Sequence, residues 1–178
     1  MFKIKEINKV DQFYQMQNLW NALLKRSTDD NPFLTWEYLS TYWKYFGGNK
    51  KLKILCVENK KKEIIAIAPL RVSRYEFANM LTYNVIEPLG YMGADYTGLI
   101  ISESEVEVLK SILEYLKGDN DWDFVYLYDI PETSTVPDAL IKLSTSIHMT
   151  FETKRGAICP YTIIPTSREL ITKKLNHK

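Results

Sequence analysis

The spacing of apolar positions changes several times along the chain, and each change marks an element. Residues 2–7 (FKIKEI) alternate apolar with charged positions, the period of a half-buried edge strand. Phe13, Met16, Trp20, Leu23 and Leu24 then recur at helical spacing on one face, with Asp11 placed to cap the helix. Asn31-Pro32 breaks the chain, and a second helix from about Thr35 carries Trp36, Leu39, Tyr42, Trp43 and Phe46 before Gly47-Gly48 ends it. Two apolar runs, 52–58 and 63–72, flank the polar Lys60-Lys61-Lys62 and predict an antiparallel hairpin with a solvated tip. The second run is almost continuous Ile and Ala, which predicts cover on both of its faces.

Residues 81–101 read as extended, interrupted by Pro88, Gly90 and Gly93, breakers that predict a bulge or loop in or before the strand. Ser102 with Glu105, or Ser104 with Glu107, forms a capping box for a helix whose Val106, Leu109, Leu113 and Leu116 are expected to face inward. Residues 122–128 have strong strand propensity. A further helix places Val136, Leu140, Leu143 and Ile147 on one face, and His148 is expected at the start of a strand. Two extended runs follow, 149–155 and 157–164, turning at Gly156, and Thr166 with Glu169 caps a final helix.

Composition narrows the function classes. A net charge of +1 over 178 residues supplies no field for nucleic acid or an anionic membrane. No stretch approaches the roughly 20 apolar residues of a membrane span, and the N-terminus lacks the apolar core of a signal peptide. The only cysteines, Cys56 and Cys159, lie in apolar runs and are expected to be inert buried thiols in a reducing, cytoplasmic setting. No serine-hydrolase, phosphate-loop, dinucleotide or zinc-protease motif occurs. The two histidines, His148 and His177, have no ligand-spaced neighbours. Asp119, Asp121 and Asp123 read as a polar helix-to-strand turn rather than a calcium loop.

The element order, β-α-α-β-β-β-α-β-α-β-β and a helix start, resembles the GNAT fold of acyl-CoA-dependent N-acyltransferases: α/β (α+β), with a mixed, mostly antiparallel sheet flanked by helices. That resemblance implies an acyl-CoA pyrophosphate on a glycine-rich turn between the fourth strand and the next helix, where backbone N–H groups and the helix dipole hold phosphate. Here the equivalent turn runs from Ile101 to Glu107 with no Gly, Lys or Arg and three carboxylates, Glu103, Glu105 and Glu107. These would repel a pyrophosphate, so no cofactor is expected in this chain. The segment 89–98 holds three glycines, Tyr91, Asp95 and Tyr96, and can either order itself or hydrogen-bond a polar ligand. Trp36, Tyr42 and Trp43 form either a sugar platform or a helix packing face.

Specific residues carry a narrower likeness. Trp20, the run Pro32 to Leu39, Tyr42 to Gly47, Ala68-Pro69-Leu70, Leu89-Gly90 with Asp95-Tyr96, Trp122-Asp123, Ile130 to Ser134 and Cys159-Pro160-Tyr161 together resemble the N-terminal half of the CelD/BcsL-type GNAT proteins, and more distantly the FemABX aminoacyltransferases. The resemblance implies a role in cellulose or exopolysaccharide biosynthesis or cell-envelope precursor modification. It implies two GNAT-like domains in tandem, the second holding acyl-CoA (acetyl-CoA), the first shaping an acceptor groove. Residues 1–165 are then a single GNAT-like domain, and 166–178 begin a helix that either leads into a missing second domain or frays. Asp95 and Tyr96, joined by Tyr91 and Trp36, are the expected substrate-binding residues, for a saccharide or envelope-precursor acceptor. A second GNAT domain or a homodimer is the expected partner, and the chain alone is expected not to catalyse. The competing reading is a non-catalytic module that binds a saccharide or a protein through a GNAT-like shell.

Overall fold

The computed structural model describes residues 2–78, 80–90 and 93–160. Strand β1, Lys3–Ile7, alternates exposed and covered positions as its pattern predicts and pairs antiparallel with β2, Lys51–Glu58. β2 turns into β3, Ile64–Phe77, at a tip where the Asn59 carboxamide oxygen accepts from the N–H groups of Lys61 (2.9 Å) and Glu63 (3.0 Å). Such a side-chain clasp is why Asn recurs at turns. β3 runs five residues past its predicted end at Val72 and pairs antiparallel with β4, Leu81–Pro88.

After β4 the Leu89 N–H still bonds the Pro69 carbonyl of β3 (2.8 Å), and the chain returns to the sheet at the two-residue β5, Ile100–Ile101. β5 then rejoins β3 near its start, Ala66 opposite Ile101, so β4 and β5 are two pieces of one edge along β3. Strand β6, Phe124–Val125, lies parallel to β4, giving the order β1-β2-β3-β4-β6. The predicted strand over 122–128 is thus shorter than expected. Its partner strand ends at Pro88, which has no N–H to continue the ladder. Past Tyr126, the carbonyls of Tyr128 and Asp129 turn to Thr97 in the 89–99 segment instead.

Helices cover both faces. On one lie α1, Val10–Tyr14, α2, Gln17–Leu24, a 3₁₀ turn Pro32–Leu34, and α3, Trp36–Phe46. They bury Phe13, Trp20, Leu23 and Leu39 against Ile7, Ile54, Cys56 and Ile67. On the other, α4, Glu105–Lys117, and α5, Val136–Ile147, pack on Leu55, Val57, Ala68, Leu70 and Ile86. Alternate residues of β2 thus feed two cores, which is why both hairpin strands read as nearly unbroken apolar runs. No helix of the described residues is long and apolar enough to cross a membrane.

Several local expectations give way to tertiary geometry. The first helix is two: Met16 N–H bonds back three residues to the Phe13 carbonyl (3.0 Å), tightening the end of α1. Lys9, not Asp11, takes the N-cap position, and Asp11 lies in the first turn, where a carboxylate favours the helix dipole. At α4 the capping box does not form. Ser104 occupies the N-cap in a left-handed conformation (φ 53°), and a side-chain cap needs extended backbone there. Val106 is 52% exposed, and Val108 and Ile112 join Leu109, Leu113 and Leu116 inside. His148 does not begin a strand: it is the left-handed C-cap of α5 (φ 52°). Residues 149–155 and 157–160 form no strand, and 161–164 with the expected helix over 166–178 lie outside the described residues.

Helix α3 begins where the sequence placed it, just after Thr35, and Thr35 caps it. Thr35 Oγ1 accepts from Tyr38 N–H and donates to the Pro32 carbonyl (2.7 Å), joining the 3₁₀ turn to the helix. Thr35→Ala should cost about 1 kcal/mol, read as a lower urea midpoint at unchanged slope, while Thr35→Ser retains most of it.

Candidate functional site

In the loop after β4, Gly90 and Gly93 lie against the start of α3. A methyl group on Gly90 would lie 2.8 Å from Leu39 Cδ2 and 3.2 Å from Tyr38 Cε1, so a larger residue there would have to push these side chains aside. Gly93 (φ 150°) lies against the Tyr38 hydroxyl, in a conformation that favours glycine. Thr97 anchors the far side of the loop, its N–H bonding the Asp129 carbonyl (2.9 Å) and its hydroxyl the Tyr128 carbonyl. Between these anchors Asp95 is exposed and Tyr96 half-buried. The Cys159 thiol reaches the Asp95 carbonyl at 3.9 Å, so Cys159 is half-buried and not in a core; Cys56 is in the core, its thiol pushed up to about 12 by burial.

Of the sequence-predicted site residues, Asp95 and Tyr96 share this loop, while Tyr91 lies outside the described residues. Trp36 stands elsewhere: its indole N–H donates to the Phe13 carbonyl (3.0 Å) and its ring meets Phe13 and Tyr14 on α1. Tyr42 and Trp43 are buried, so that aromatic face of α3 is a packing face. The aromatic residue that does meet the loop is Tyr38, two positions after Trp36 and so roughly 200° around the helix. Its phenol is pushed up by burial, then by the neighbouring Tyr42 and Asp95.

Beside the loop lies the turn into α4. Glu105 and Glu107 occupy the first helical turn, and the Thr135 hydroxyl lies 2.8 Å from both Glu105 carboxylate oxygens. Asp29 accepts from the Ser134 hydroxyl (3.2 Å), and burial pushes its carboxyl up, opposed by that hydrogen bond and reinforced by the charge of Glu105. Ser102 gives both its N–H and its hydroxyl to the Ile65 carbonyl. A pyrophosphate needs free N–H groups and positive charge. Here it would meet two carboxylates, a non-glycine N-cap and a spent N–H, so these residues do not fit that group.

A third cluster has no counterpart in the sequence-based expectations. Arg71 on β3, 1% exposed, and Glu87 on β4, fully buried, form an ion pair at 2.9 Å. Arg71 also donates to the Tyr42 hydroxyl (2.9 Å), and Glu87 accepts from Ser73 and from the Tyr75 hydroxyl (3.0 Å). The signal was a charge inside each apolar run, Arg71 between Leu70 and Val72 and Glu87 between Ile86 and Pro88. Beyond this network the sheet face on the α3 side carries Tyr75 stacked on Tyr83 (5.6 Å) and Phe124 edge-on to Tyr83. Phe77, Met80, Leu81, Phe124 and Tyr126 are exposed there and at the hairpin tip, Met80 by 90%.

No protein-family model matches the chain, and no curated protein matches it by sequence. Among solved structures, a possible acetyltransferase from Clostridium difficile 630 superposes with a TM-score of 0.51 at 13% identity, over 93% of this chain and 99% of that one. A glucosamine-6-phosphate N-acetyltransferase from Arabidopsis thaliana gives a TM-score of 0.45 at 11% identity, over 89% and 98%. An aminoglycoside antibiotic 6'-N-acetyltransferase from Acinetobacter baumannii gives 0.42 at 14%, over 92% and 99%. The mixed, mostly antiparallel sheet flanked by helices is the GNAT acetyltransferase fold.

Proposed function

We propose that this acetyltransferase-fold domain is the half of a two-domain acyltransferase that does not hold acyl-CoA, and that it works in the cytoplasm with a second GNAT-like domain on a saccharide or cell-envelope precursor. The observation that carries the reading is the turn into α4, where Glu105 and Glu107 fill the first turn and Asp29 lies alongside. Negative charge at a helix N-terminus stabilises the helix but competes with any phosphate for the same dipole. Two further features support it. The exposed apolar positions Phe77, Met80, Leu81 and Phe124 form a surface of the kind that partner domains cover. Asp95, exposed on an anchored loop beside Tyr96 and Tyr38, offers a carboxylate and phenols of the type that bind sugar hydroxyls.

Isothermal titration of the purified chain with acetyl-CoA is the test. No saturable heat is expected up to millimolar ligand. Micromolar binding would overturn the reading and make the chain an acyl-CoA site in its own right. The exposed Phe124 and Tyr126 favour a second reading, a saccharide-binding module without chemistry. On a glycan array that module binds specific sugars with no second domain present, whereas the acyltransferase half needs its partner domain for specific capture.

A further inference from the structure

At the far end of the sheet from the α4 turn, the end of β1, the start of β2 and the last turn of α3 surround an open basin of about 710 Å³. We infer that this basin is an anion site, for a small molecule carrying a phosphate or carboxylate group. This goes beyond the acceptor reading and does not depend on it. The layout of charge supports an anion site. On the floor, Lys53 is 8% exposed and is clamped by Glu6 (2.9 Å) and Asp119 (2.6 Å), with the Tyr115 hydroxyl on Glu6 (3.0 Å). Burial alone would lower the Lys53 ammonium, but the bonds to Asp119 and Glu6 outweigh it and hold it up, so the floor is a hydrogen-bonded set of one ammonium and two carboxylates.

The rim is different. Lys44, Lys50 and Lys51 line it against a single rim carboxylate, Asp121, and among the described residues none of the three lysines makes a salt bridge. Lys50 Nζ bonds the Phe46 carbonyl (3.2 Å), which offsets the negative end of α3 and holds one ammonium at the mouth. Lys44 lies 5.3 Å over the Tyr45 ring. The intervening turn is open, since a side chain on Gly48 (φ 51°) would meet nothing within 4 Å. Tyr14 and Trp43 add a ring-bearing wall, so the group attached to the anion has an apolar surface to lie on. The two ends of the sheet thus differ in charge: carboxylates stand at the α4 turn, while here Lys44, Lys50, Lys51 and Lys53 face Glu6, Asp119 and Asp121.

The experiment is an amide NMR titration of the chain with inorganic pyrophosphate, ionic strength held constant with sodium chloride. Saturable shifts are expected at Gly47, Gly48, Lys50 and Lys51. Binding should weaken roughly tenfold in Lys50→Gln/Lys51→Gln, which removes one half-buried and one exposed ammonium from the rim. Shifts that never saturate, or the same affinity in the variant, would overturn the site and leave the reading of the α4 turn intact. Saturable shifts confined to residues 102–107 would overturn both.

Discussion

Arg71→Met should lower the unfolding free energy by about 3 to 5 kcal/mol, because it strands a carboxylate with no water to solvate it. In a chain of this size that is a fall in Tm of roughly 6 to 20 °C. Glu87 is fully buried, and the guanidinium supplies both Nε–H (3.0 Å) and a terminal N–H (2.9 Å) to one of its oxygens. Ser73 and Tyr75 remain as donors after the change but carry no charge. Arg71→Met/Glu87→Leu removes both charges, and more than half of the lost stability should return, since apolar groups of similar volume replace a buried pair at little cost. Urea unfolding of the two variants and the parent reads this directly. A single-variant loss below about 1 kcal/mol would mean that water reaches Glu87 and that the network is not a closed one.

The other large effect is expected at Trp20→Ala, about 3 to 5 kcal/mol, the range for deleting a buried aromatic side chain. Trp20 is fully buried, its ring 5.5 Å from Phe13 and its indole N–H on the Leu34 carbonyl at 2.7 Å. One side chain therefore ties α2 to α1 and to the 3₁₀ turn that precedes α3. Trp20→Phe keeps most of the apolar burial and loses only the donor, so it should cost about 1 to 3 kcal/mol by orphaning that carbonyl. If the two substitutions destabilise equally in urea unfolding, the hydrogen bond rather than ring burial dominates, and the packing account fails.

Trp20 and Tyr38 show how unevenly the sequence speaks. Trp20 was legible as a core position, because Phe13, Met16, Trp20 and Leu23 fall on one helical face and a helix repeats its face every 3.6 residues. Tyr38 belonged to a recognised run of residues, but its contact with Gly90 and Gly93 spans some fifty positions and leaves no periodic trace. The same holds at α4, where Ser104 has the residue type of a cap but its left-handed backbone turns the side chain away from that task.

What the sequence determined by itself is what nearest neighbours decide. The β2–β3 hairpin follows from two apolar runs and a polar tip, α3 from Thr35 and its apolar face, and the acidic character of the α4 turn from Glu103, Glu105 and Glu107. The order of elements, through its resemblance to the GNAT fold, pointed to the architecture, since helix period, strand period and turn chemistry are local properties of the chain. The tertiary structure alone decided which charges meet. Arg71 finds Glu87 only because the β3–β4 register sets them opposite each other, and Tyr42 joins them only because α3 lies over that pair. Lys53, Glu6 and Asp119 come from two strands and the turn after α4, and the lysines of the basin rim stand on α3 and around the start of β2. Such electrostatic pairings depend on distance through space and on burial, and neither is encoded in the spacing of residues along the chain.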